Sequence, residues 1–61
     1  MENTFTDAQK RELEYAFQDG FRAFQEQLKV RDNPYSPVFG TYECHLYDQW
    51  IEGWYQAAHE S

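Results

Sequence analysis

With 61 residues, a net charge of −6 and one cysteine, the chain has room for one small domain. It can form no internal disulfide, so its core must be densely packed or shared with a partner. No apolar stretch approaches the roughly 20 residues that span a bilayer, and Met1 to Phe5 has neither the basic region nor the apolar run of a secretory leader. A cytoplasmic protein with no membrane association is expected.

Thr6, with Gln9 three positions on, reads as a capping box, and Asp7 suits the positive end of the helix that it opens. Leu13, Ala16, Phe17, Gly20, Phe21, Phe24 and Leu28 recur at spacings of three and four and predict a helix from about Asp7 to Val30. Asp32-Asn33-Pro34-Tyr35-Ser36-Pro37 then breaks it, since proline lacks an amide proton and biases its predecessor toward extended geometry. Gly40 closes this loop. Thr41 caps a second helix, about Tyr42 to Ala58, with Glu43 in its first turn. Its apolar stripe is Tyr47, Trp50, Ile51, Trp54, Ala57 and Ala58.

The predicted fold is all-α: one domain, residues 1–61, built as a two-helix antiparallel hairpin (about 7–30 and 42–58) joined by the Pro-rich loop. Leu13, Phe17, Gly20, Phe21, Phe24, Trp50, Gly53 and Trp54 form its expected core. Glycine inside a helix costs about 1 kcal/mol relative to alanine, so Gly20 and Gly53 imply a close approach; each is expected to admit an aromatic ring from the facing helix. One interface hides twelve aromatic residues poorly. Some are therefore expected on a surface patch used by a partner, with a second copy in a four-helix arrangement as one option.

Ala16-x3-Gly20-Phe21-x-Ala23, Asn33-Pro34-Tyr35 and Trp50-x2-Gly53-Trp54-x2-Ala57 together resemble the ribosome modulation factor family of small two-helix proteins. The resemblance covers about Ala16 to Ala57. It implies a helical hairpin with Pro34 and Tyr35 in its turn, and association with the small ribosomal subunit. Asn33 stands where the family usually has cysteine, and Phe24 where a second glycine is common. Those relatives are strongly basic, whereas this chain is acidic.

The charge distribution bears on partners. All five basic residues precede Asp32, and from Asp32 onward there are five acids with no Lys or Arg. Direct DNA or RNA binding, which needs cations to displace phosphate counterions, is therefore disfavoured. Glu12, Asp19 and Glu26 repeat every seventh residue along helix one, and Asp48 and Glu52 lie one turn apart on helix two. Such acids either keep a protein soluble or dock a basic partner. Tyr35, Phe39 and Tyr42 frame the loop, where they either cap the hairpin core or anchor a partner.

Cys44, His45, Asp48, Glu52 and His59 lack the spacing of a metal site, and adjacent Cys44 and His45 diverge by about 100° on a helix. No phosphate-cradling glycine loop is present. The expectation is a non-enzyme without cofactor or metal, acting by binding a protein. The alternatives are a ribosome-associated modulator of translation, or an acidic nucleic-acid mimic of the kind phages encode.

Overall fold

The computed structural model describes residues 5–61 and contains two long helices, α1 (Asp7–Gln25) and α2 (Tyr42–Glu60), with a 3-10 turn at Val30–Asp32 between them. No strand occurs among the described residues. Thr6 caps α1 as its sequence predicts: its Oγ1 accepts the Gln9 amide at 3.1 Å, and Gln9 Oε1 accepts the Thr6 amide at 3.0 Å. Thr41 caps α2 through a hydrogen bond from the Cys44 amide.

The first helix ends at Gln25, earlier than the predicted Val30. Its end is a Schellman motif, in which the Leu28 amide donates to the Ala23 carbonyl and the Gln27 amide to that of Phe24, both at 2.9 Å. The motif puts Gln27 in the left-handed region at φ 70°, a position that glycine normally fills. Periodicity alone missed this stop because no glycine marks it. Leu28, expected on the core stripe, consequently leaves the helix and is exposed.

The early stop lengthens the connection to residues 26–41 and changes what it can do. A nineteen-residue helix rises about 28 Å, and a connection of this length is long enough to run back along it. It does so. The Tyr42 hydroxyl, in the first turn of α2, shares its one proton between Glu12 Oε1 at 2.8 Å and the Gln9 carbonyl at 3.1 Å, near the start of α1. At the other end Trp54 meets Phe24 and the Leu28 carbonyl. Two packed helices and a Pro-containing loop are thus as predicted, but the helices point the same way rather than antiparallel.

They cross at the two glycines. A Cβ on Gly20 would overlap the Trp50 carbonyl, and one on Gly53 would overlap the Phe17 carbonyl. The expectation that each glycine admits a ring is therefore corrected: each admits the facing backbone. Because the backbones touch, no ring fits between them. The buried residues are small ones, Ala16, Gly20, Ala23, Gly53 and Ala57, together with Trp50. Leu13, Phe17, Phe21, Phe24 and Trp54, predicted as core, are displaced to the flanks and remain half-exposed.

The crossing is also symmetric, because Phe17 and Trp50 each precede their own glycine by three residues. Aligning Gly20 with Gly53 aligns Leu13 with Leu46, Phe17 with Trp50, Asp19 with Glu52 and Phe21 with Trp54. The chain carries an internal repeat, Leu-x3-aromatic-x-acid-Gly-aromatic, whose two copies pack about a local two-fold axis.

Two predictions follow from this geometry. Gly53→Ala places its methyl group on backbone that cannot give way, and should cost about 3 kcal/mol or more; far-UV circular dichroism should show a largely unfolded chain. Gln27→Gly removes the left-handed strain and should add about 1 kcal/mol, seen as a higher urea midpoint at unchanged slope.

Candidate interaction surface

The local two-fold gives the helix pair two equivalent grooves, and the connection fills one of them. Asn33 fixes it there: its Nδ2 donates to the Tyr47 carbonyl at 3.1 Å while its Oδ1 accepts the Tyr35 amide at 3.0 Å, an Asx turn that sets the path into Pro34. Pro34 and Asp32 line a cleft together with Trp50 and with Asp19, Arg22, Ala23 and Glu26 of α1. Further along, the Ser36 amide donates to Glu43 Oε2 at 3.0 Å and the Thr41 hydroxyl to the Val38 carbonyl at 2.8 Å. Gly40, at φ 89°, turns the chain into the α2 cap.

This path sorts the three rings expected to frame the loop. Tyr42 is half-buried and its phenol is held at 2.8 Å by Glu12 Oε1. Desolvation, that hydrogen bond and the nearby Glu12 charge push its pKa up to about 12. Burial and the carboxylates of Asp19, Glu12 and Glu43 likewise raise Tyr35. These two rings belong to the inside of the fold. Phe39 does not: it is 94% exposed, beside the exposed Val38, on a tip held by the Thr41 and Gly40 turn.

The carboxylates also divide. Glu12 is bonded to Tyr42, and Asp19 and Glu26 line the wall of the filled groove, so this stripe faces the protein's own loop as well as solvent. Asp48 and Glu52 are exposed on α2, where Glu52 borders the second groove. That second groove has no covering segment among the described residues. Phe17 lies at the centre of three adjoining depressions there: one against Ile51, Glu52, Gln56 and His59 of α2, one with Phe5, Leu13 and Gln49, and one that continues along α1 to Phe21.

The polar groups of α2 do not converge. His45 packs edge-on against Phe5 with centroids 5.1 Å apart, Cys44 is a half-buried free thiol, and among the described residues no group of three or more His, Cys, Asp or Glu is placed to hold a metal. No described helix is long and apolar enough to cross a membrane. Sequence reading overlooked Val38, Tyr15 and Tyr55, all well exposed. Tyr15 lies off the predicted apolar stripe of its helix, and that position was the available signal. No family model, curated protein or solved structure matches this chain.

The Tyr42 hydrogen bond has a pH signature. A phenol whose pKa is raised on folding contributes stability that is fully present below the unfolded value of about 10 and is lost as pH climbs toward 12. Chemical denaturation of the wild type should therefore show stability falling across that window. The Tyr42→Phe variant should be less stable at neutral pH and fall less steeply there.

Proposed function

We propose that this chain is a small, non-catalytic regulatory protein that binds a protein partner through exposed aromatic residues and an acidic surface. The observation that carries this reading is Phe39. A large apolar side chain is 94% exposed, next to the exposed Val38, on a loop held by side-chain hydrogen bonds on both sides. A ring held out on an ordered loop loses little freedom on docking, which is what an interface anchor requires. The net charge of −6 supplies steering toward a basic partner, and orientation more than affinity.

Ribosome association is the second reading. It is supported by the small residues at the crossing, Ala16, Gly20, Ala23, Gly53 and Ala57, all of which belong to the motifs that carry the family resemblance. These are residues that build the helix pair, and fold alone does not transmit function. The acidic balance favours the first reading, since a surface that grips rRNA needs cations that this chain lacks after Arg31.

Immobilised wild type and Phe39→Ser should be compared for capture from cell lysate at low and moderate salt, with mass spectrometry of the bound fraction. The expected result is a discrete protein partner captured by the wild type and weakened at least about tenfold by Phe39→Ser, with unchanged circular dichroism. Equal capture by both would overturn the role of the tip. Recovery of small-subunit proteins and rRNA together would move the assignment to the ribosome.

A further inference from the structure

The geometry points to the second groove, floored by Phe17 and Phe21, as a binding site for an extended, proline-containing segment of a partner protein. The molecule's own symmetry carries this assignment. Phe17 and Phe21 occupy the positions that Trp50 and Trp54 hold on the other side of the crossing, and there the groove is filled by the extended Asn33-Pro34-Tyr35 stretch. The same backbone frame therefore offers a related slot twice, walled by Gln49 and Gln56 in the second copy where Ala16 and Ala23 let the loop close down in the first. One copy is filled in cis, and the other has no covering segment among the described residues.

The differences between the two grooves describe the occupant. In the filled groove the α1 wall carries Asp19, Arg22 and Glu26, with Glu12 bonded to Tyr42 at its end; in the second groove α2 presents Gln49, Glu52, Gln56 and His59, and α1 adds Lys10 and Glu14 at one end. That wall is less acidic and rich in amides, which both donate to and accept from the peptide bonds of an extended chain. The floor has phenylalanine in place of tryptophan, so it lacks the indole N–H with which Trp54 holds the Leu28 carbonyl at 2.8 Å. It offers ring faces to proline and aromatic side chains instead. A second copy of this chain is the poorer occupant. Its own loop is already placed in its own groove, and pairing two chains of charge −6 adds repulsion where a neutral or basic segment adds none. None of the tip residues lines this groove, so the site is separate from Phe39 and stands or falls independently of it.

The test titrates isotope-labelled protein with a capped peptide of the chain's own loop sequence, residues 30–38, and with a scrambled peptide of the same composition. Backbone amide shifts are followed by NMR. Saturable shifts centred on Phe17, Phe21, Gln49 and Gln56, at least about tenfold weaker for the scrambled peptide, are expected. Gln56→Trp, on an exposed wall position away from the crossing, should block the groove and abolish them without altering the helix content. Phe17→Ala should weaken them in parallel, and Gln56→Trp keeps the test decisive should that variant unfold. Shifts absent at about 1 mM peptide, equal for both peptides, or unaffected by Gln56→Trp would overturn the proposal. So would sedimentation showing that the free protein dimerises through this face.

Discussion

Everything in this molecule depends on two helix backbones touching at Gly20 and Gly53. Contact at that distance leaves room only for glycine and alanine along the seam, which explains why every buried residue except Trp50 is small in a chain with twelve aromatic residues. Close packing of peptide units brings dispersion and weak Cα–H···O contacts along the crossing. It does not bury large side chains there. The rings must lie beside the seam, and a ring beside the seam needs a cover.

The connection provides that cover on one side. Asn33 is well suited to the task, because one amide group both bonds to the α2 backbone and shapes the turn that brings Pro34 into the cleft lined by Trp50. With the loop in place Trp50 is buried, while its counterpart Phe17 stays half-exposed. The fold is therefore symmetric in its framework and asymmetric in its covering. Its candidate binding features, an open groove and a projecting tip, both follow from where the loop is and where it is not.

Much of this was legible in the residues. The Thr6-Gln9 box and the Thr41 cap set both helix starts, the prolines mark the break, and the two glycines announce a close approach. Helix direction was not legible from periodicity, because it depends on the length of the connection. That length turned on Gln27 accepting a left-handed conformation with no glycine to signal it. The internal repeat was visible in principle: Leu13-x3-Phe17-x-Asp19-Gly20-Phe21 and its counterpart from Leu46 to Trp54 show that both helices present the same surface to each other, as a two-fold pair does. Of the surface residues, Phe39 was identifiable as a loop aromatic, but only the path of the loop separates it from Tyr35 and Tyr42.

The shared direction of the helices also has an electrical consequence. Antiparallel neighbours cancel their macrodipoles, whereas these two place like poles side by side, with both positive amide ends at one end of the molecule. Asp7 and Glu43 sit in the first turns there, with Glu12 one turn further in, while Arg22 and His59 occupy the last turns at the opposite pole. Part of the negative charge thus acts as an internal counterweight to aligned peptide dipoles. The dipoles add no net charge, so the −6 of the whole chain still sets the long-range field that another molecule meets.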